Sequence, residues 1–179
     1  MPDLQHRLIA TATSLLVEEG VEAVTLRRIA KDSGVSHSAP LRHFSGRAQL
    51  LSAVAAEGFA ALGKGSLPAG TPRERLLAAC RAYVAFALDH PALFELMFRH
   101  DLVDTTEPGL AAAVEAVLSR FRALVAAAQA TGWRDDVSGD ALAASLWAAL
   151  HGVAELRLWN GAPTDLDQAL TVTLGAYLA

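Results

Sequence analysis

TLRRIAKDSGVSHSAPLRHFSGR, residues 25–47, reads as a helix, a tight turn and a second helix. The Thr25 hydroxyl is suited to cap the first helix, whose apolar face is Leu26, Ile29 and Ala30. Ala30 is small enough for another helix to cross closely. Gly34 supplies the positive φ that the turn requires, and Val35 plugs the corner beneath it. Ser36, His37 and Ser38 then open the second helix, at the place from which helix-turn-helix side chains reach base edges. Arg42 and His43 stand at its far end. Pro40 is tolerated in this helix if it falls in the first turn, where its missing N–H costs little. Ser45-Gly46-Arg47 opens a further helix, whose free N–H groups and positive dipole end attract phosphate, with Arg47 adding a formal charge.

Working outward, Leu4, Leu8, Ala12, Leu15 and Leu16 recur at helical spacing, so residues 3–19 form an amphipathic helix that stops at Gly20. After Ser45 a helix carries Leu50, Leu51, Val54 and Phe59. GKGSLPAG, residues 63–70, is a flexible linker and marks a domain boundary. Thr71-Pro72-Arg73-Glu74 matches a capping box with proline at the first helical position. A long helix runs from there through Asp89, and a short one restarts at Pro91. Others cover roughly 108–131, 139–159 and 165–178, separated by WRDDVSG and NGAPT. No segment alternates with period two for long enough to make a sheet, and no internal repeat is present. The expected fold is all-α, with a three-helix helix-turn-helix head over residues 1–62 joined to a larger C-terminal helical bundle over 71–179.

With 179 residues, 53% of them hydrophobic and only 19% charged, the chain has the apolar mass for a buried core. A single cysteine, Cys80, excludes an intramolecular disulfide and fits a reducing compartment. MPDLQHRLIATA lacks the basic-then-apolar pattern of a secretory signal. Ala141–Ala154, the longest uncharged apolar stretch of the C-terminal half, falls short of the roughly 18 residues of a membrane span. Gly109–Ala130 is long enough but is broken by Glu115, Arg120 and Arg122. A cytoplasmic protein without a membrane partner is expected. The formal charge of −4 and a pI near 5.8 argue against a general polyanion binder. Residues 25–47 nevertheless hold Arg27, Arg28, Lys31, Arg42 and Arg47 against Asp32 alone. Such a segment on an acidic body is the footprint of local phosphate binding, or else a solvated helix face.

Preceded by Gly20, the spacing Thr25, Ile29-Ala30, Gly34-Val35-Ser36, His43-Phe44 and Leu50-Leu51 resembles the TetR family of bacterial one-component transcription regulators. The likeness covers the first third of the chain in detail and the rest in architecture. It implies phosphate contacts at Thr25 and at the start of the helix that Arg47 opens. It also implies base or phosphate contacts at Ser36, His37, Ser38, Arg42 and His43, and Arg27 joins this set as a basic neighbour of Thr25. Two positions depart from the family pattern: Leu41 stands where an aromatic, commonly Tyr, is usual, and Arg47 stands where Lys is usual. Leu41 is assigned an apolar contact instead, such as one with a thymine methyl.

In the C-terminal part, Ser145, Ala149 and Gly152 form a seam of small residues flanked by Leu142, Leu146, Val153 and Leu156. A symmetric copy packing on this seam gives an isologous dimer, and Leu170 and Leu174 of the last helix complete a four-helix interface. The Ser145 hydroxyl is expected to bond back to a carbonyl one turn earlier. Trp147, His151 and Gly152 resemble the signature of a TetR subgroup named for Trp-His-Gly, which implies a regulatory domain. Tyr83, Phe86, Phe94, Met97, Phe98, Phe121 and Trp147 line either an apolar cavity, with His151 as its polar anchor, or an ordinary core.

His151 and Glu155 are half a metal site, but no second pair of ligands stands at supporting spacing. Cys80 lies among apolar residues without a nearby histidine, and neither a Gly-rich phosphate loop nor a G-x-S-x-G elbow is present. No catalytic residue, metal or cofactor is assigned. The resulting expectation is a homodimeric repressor that binds double-stranded DNA at a palindromic operator and is released by a small apolar effector. The competing reading is a helical adaptor that binds another protein through the small-residue seam.

Overall fold

The computed structural model describes residues 3–159 and 165–178, and these residues form eight α-helices and two short 3₁₀ turns, with no strand among them. The helices are α1 (Leu4–Glu19), α2 (Leu26–Asp32), α3 (Arg47–Lys64), α4 (Pro72–Asp89), α5 (Pro91–Met97), α6 (Pro108–Gln129), α7 (Gly139–Leu158) and α8 (Leu166–Leu178). The all-α expectation holds. The connection NGAPT, residues 160–164, lies outside the described residues. The chain divides into two compact units, Met1–Ala61 with Ala92–Glu115, and Leu62–Pro91 with Ala116–Ala179.

In the first unit, the helical spacing of α1 buries Leu8, Ala12, Leu15 and Leu16, which join Val24, Ile29, Ala30, Phe44, Leu50 and Val54 in the core. Gly20, at φ +84°, ends α1. Thr25 caps α2, its Oγ1 accepting the Arg28 N–H at 3.2 Å. At the other end of α2, Gly34 sits at φ +68°. Its N–H donates to the Lys31 carbonyl at 3.1 Å, and the Val35 N–H donates to the Ala30 carbonyl at 3.0 Å. This is a Schellman stop, in which a left-handed glycine lets two consecutive N–H groups close on the last turn. Arg7 of α1 donates to the Ser33 carbonyl at 3.0 Å, and Thr11 and Ser33 share a hydroxyl–hydroxyl bond at 2.9 Å, so α1 also holds the reversal.

The helix expected after this turn is not a regular α-helix. Residues 37–39 are turn and bend, and Pro40–Arg42 is a 3₁₀ turn. Pro40 has no N–H to give to Ser36, so an α-helical ladder cannot run through it. The chain uses tighter bonds instead, from the Ala39 N–H to the Ser36 carbonyl at 3.0 Å and from the Arg42 N–H to the Ala39 carbonyl at 3.2 Å. The Phe44 N–H then bonds to the Pro40 carbonyl at 2.9 Å, and both Pro40 and Phe44 are buried.

Further along this unit, α3 and α5 approach closely. A Cβ on Gly58 would stand 2.6 Å from Met97 Sδ and 3.1 Å from Leu93 Cγ, so any side chain there would force Met97 to shift. Phe98 packs edge-on against Phe59 at 5.6 Å between ring centres. Ser52, fully buried, donates to the Ala48 carbonyl and accepts the Asp104 N–H at 2.9 Å, so its hydroxyl is satisfied and ties the 98–107 loop to α3.

The second unit starts with the last turn of α3. The capping box forms as expected: Thr71 Oγ1 accepts the Glu74 N–H at 3.3 Å, and Glu74 accepts the Thr71 N–H at 2.8 Å. Leu76, Cys80, Val84, Val125, Leu146 and Leu150 are buried in its core. The Ser145 hydroxyl lies 2.6 Å from the Tyr177 hydroxyl, so it joins α7 to α8 where back-bonding within α7 was expected.

The Gly34 stop leads to a clean prediction, because a Cβ there meets nothing within 4 Å and the cost of alanine is conformational alone. Gly34→Ala is expected to destabilise the protein by about 1 kcal/mol. Gly46→Ala, equally open and without a positive φ, is expected to be close to neutral. Urea unfolding followed by circular dichroism separates the two.

Candidate nucleic-acid interface and effector cavity

Ser36, His37, Ser38, Leu41 and Arg42 are all exposed, while the neighbouring Pro40 and Phe44 are buried. The segment is therefore anchored at two apolar points and presents its remaining side chains to solvent. Leu41, a leucine with 59% of its surface exposed, is not required by packing. Ser36 and Ser38 hydroxyls lie 3.3 Å apart, and His43 is half-buried beside the Phe44 ring. Arg27 is exposed on α2.

Two of the basic residues in the window are differently placed. Arg28 forms ion pairs with Glu19 at 2.6 Å and Asp32 at 2.7 Å. Its hydrogen bonds to those carboxylates push its pKa above the ordinary arginine value. Its charge is compensated within the molecule. Arg47 donates from Nε to the Val24 carbonyl at 2.9 Å and from Nη2 to the Val21 carbonyl at 2.6 Å, with Glu22 at 3.4 Å. A lysine cannot make this two-pronged contact, because it lacks the planar fork. Arg47 thus staples the α1–α2 connection to the start of α3. Thr25 already uses one lone pair of its hydroxyl on the cap of α2.

The second unit contains a cavity of about 80 Å³ that is open to solvent. Leu62, Gly63, Gly65, Ser66 and Leu67 form one wall, Ala79, Ala82 and Tyr83 of α4 another, and Val117, Arg120, Phe121 and Leu124 of α6 a third. Trp147 and Leu150 of α7 close it. The Trp147 ring meets Tyr83 edge-on at 4.8 Å and Phe121 at 5.5 Å. Arg120 is the charged residue of the lining, and its guanidinium donates to the carbonyls of Gly63 and Gly65.

Of the aromatic set read from sequence, the structure brings Tyr83, Phe121 and Trp147 to this cavity. Phe94, Met97 and Phe98 belong to the first unit, where Phe94 and Phe98 pack ring against ring at 5.0 Å. Phe86 lies against the His90 ring at 4.9 Å. His151 is bonded to the Tyr83 hydroxyl at 3.0 Å through Nδ1 and has Glu155 3.7 Å from Nε2. Burial, and then the Glu155 carboxylate, hold the Tyr83 phenol above its usual range, so it stays protonated. Among the described residues no group of His, Cys, Asp or Glu is arranged to hold a metal ion. Arg120 and the linker wall were missed from sequence, where Arg120 registers only as a charge interrupting an apolar run. Nothing in the sequence singles Arg120 out from Glu115 and Arg122, which interrupt the same run.

Residues 76–177 match the family profile described as the tetracyclin repressor-like C-terminal domain, and residues 8–54 match that of the bacterial regulatory proteins of the tetR family. The chain belongs to the TetR family. A protein of unknown function from Rhodococcus sp. RHA1 superposes with a TM-score of 0.83 at 30% identity, covering 99% of this chain and 95% of that one. The fatty acid degradation regulator FadR from Bacillus halodurans gives 0.77 at 13% identity, covering 100% and 96%. The TetR family regulator PfmR from Thermus thermophilus gives 0.66 at 20% identity, covering 96% and 97%. At these lower identities the likeness is one of fold. No curated protein sequence matches the chain. The TetR assignment makes this a transcriptional regulator with an N-terminal DNA-binding domain, and its family consists of regulators rather than enzymes. No helix among the described residues is long and apolar enough to cross a membrane.

Two expectations follow from these placements. Arg47→Ala is expected to lower the stability of the DNA-free protein by about 1–3 kcal/mol, because two carbonyls lose a charged donor; a side chain that only touched phosphate would leave that stability unchanged in urea unfolding. Cys80 is buried, which pushes its thiol pKa up to about 12, so the reactive thiolate is scarce at pH 8. Iodoacetamide is expected to leave Cys80 unmodified in the native protein and to alkylate it once the chain is unfolded, as mass spectrometry reads directly.

Proposed function

We propose that this chain is a homodimeric cytoplasmic repressor that binds a palindromic operator and is released by a small apolar effector. The observation that carries the reading is the exposed segment Ser36–Arg42, held by buried Pro40 and Phe44 directly after the Gly34 reversal. Ser36, His37, Ser38 and Arg42 are the base or phosphate contacts, with Leu41 supplying an apolar one. Thr25, Arg27 and His43 flank them. Arg47 acts by positioning the start of α3, and its charge adds to the local field. Residues 1–62 serve as the DNA-binding domain and 71–179 as the effector and dimerisation domain, of the Trp-His-Gly type through Trp147, His151 and Gly152.

The dimer surface is read from α7 and α8. Ser145, Gly152 and Leu156 are exposed, Leu156 with 45% of its surface, and Trp159 and Val172 add 61% and 65%. Ala149 and Leu170 are half-buried beside them. Leu142, Leu146, Val153 and Leu174 are buried within the protomer and support this face from behind. Apolar residues this exposed on adjacent helices are what a second copy would cover. Effector binding then acts by linkage, favouring a state of the dimer whose two heads no longer match their half-sites, with α3 as the lever.

Binding to duplex fragments from around the protein's own gene, followed by fluorescence anisotropy against salt, tests the reading. Tight, salt-sensitive binding is expected, and Arg42→Ala is expected to weaken it by roughly tenfold and to lower the salt slope by about one. Salt-independent binding without discrimination between fragments would favour the adaptor reading. Gly152→Leu tests the dimer, since a Cβ at Gly152 meets nothing within 4 Å in the protomer. The variant is expected to fold and to elute as a monomer in size-exclusion chromatography; an unchanged dimer would remove the seam from the interface.

A further inference from the structure

Arg120 occupies an unusual position for a charged side chain. It lines a cavity whose other walls are built from aliphatic residues, glycines and aromatic rings, with Ser66 beside them. Its guanidinium bonds to two backbone carbonyls, those of Gly63 and Gly65, and no carboxylate of the described residues pairs with it. Gly63 belongs to the last turn of α3, where helix carbonyls lack partners within the helix and the dipole favours a cation. Gly65 begins the linker that forms the cavity wall. One side chain thus caps α3, holds the linker and brings an uncompensated positive charge to the cavity. Carbonyls satisfy its hydrogen bonds but carry only partial charge, whereas an anionic oxygen pair matches the guanidinium fork and neutralises it.

We propose that the effector is an amphiphile with one anionic head, carboxylate or phosphate, whose apolar tail fills the space beside Tyr83, Phe121 and Trp147 and whose head binds Arg120. The head competes with Gly63 and Gly65 for the same fork, so occupancy loosens the cap on α3 and the linker after it. This rests on the effector-released reading above and adds the chemistry of the effector and the residue that senses it. The apolar tail supplies affinity by burial, and the head supplies selection against neutral and cationic analogues.

Calorimetric titration of the full-length protein with decanoate, decyl phosphate, decanol and decylamine tests this without reference to DNA. The two anions are expected to bind at least tenfold more tightly than decanol, and decylamine not at all. Decanoate against decyl phosphate then distinguishes the two heads. Arg120→Gln keeps a donor for the linker carbonyls but removes the charge; it is expected to lose tenfold or more in affinity for the anions and to keep that for decanol. Arg120→Lys, which keeps the charge without the fork, is expected to fall between. Equal binding of decanoate and decanol, no binding of either anion, or an unaltered anion affinity in folded Arg120→Gln would overturn the assignment. The effector-released reading fails separately, if anions bind through Arg120 but leave the protein on its operator fragment in the anisotropy assay.

Discussion

The Val35 N–H turns back onto the Ala30 carbonyl because Gly34 takes a left-handed backbone, and the DNA-binding head is organised around that reversal. An L-residue with a side chain adopts this conformation only at a cost, while glycine adopts it freely. Once α2 is stopped there, Ser36–Arg42 emerges as a separate surface segment. The bonds from Arg7 and Thr11 to Ser33 fix the same corner from α1, so the reversal is supported on both sides. Buried Pro40 and Phe44 then determine which side chains of the segment remain outside.

Arginine plays different parts along the chain. Arg28 is neutralised by Glu19 and Asp32, Arg47 holds two carbonyls of the α1–α2 connection, and Arg120 holds two carbonyls at the end of α3. Arg27 and Arg42 remain exposed. A count of basic residues between 25 and 47 therefore overstates the charge offered to a phosphate backbone. The planar five-donor fork explains the pattern, because it can donate to two neighbouring carbonyls at once. At Arg47 this two-pronged contact is one that a lysine could not make.

The cavity shows a related economy. Its wall includes the glycine-rich linker, which lies along α6 through Arg120 in place of an apolar plug. Gly63, in the last turn of α3 just before the linker, stands close enough to Val117 that a Cβ would come within 3.3 Å, so a small residue there serves the approach of α6. Most of the residues of that linker are exposed, so this wall of the cavity is held by fewer buried contacts than the helical walls.

Much of the fold was legible in the sequence. Helical periodicity, the Thr71 capping box, the Gly20 and Gly34 stops and the absence of period-two segments are local signals, and the helices follow them closely. The exposed residues of the head were legible too, since they are defined by their distance from the Gly34 turn. Aromatic residues were not so easily assigned: Tyr83, Phe121 and Trp147 reach the cavity, whereas Phe94, Met97 and Phe98 join another core, and their spacing in sequence is the same in kind. Periodicity says that a side chain faces inward and not which neighbour it meets. The partners of Arg47, Arg120 and Ser145 lie 23 or more residues away, so only the folded chain could pair them. By itself the sequence determined where most helices start, stop and turn, because those are decided by a few adjacent backbone dihedrals; the exception is the segment after Gly34, expected as a helix, which Pro40 reduces to a 3₁₀ turn. Tertiary structure decided which charges are paired, which stay exposed and which one enters the cavity, because that depends on long-range packing.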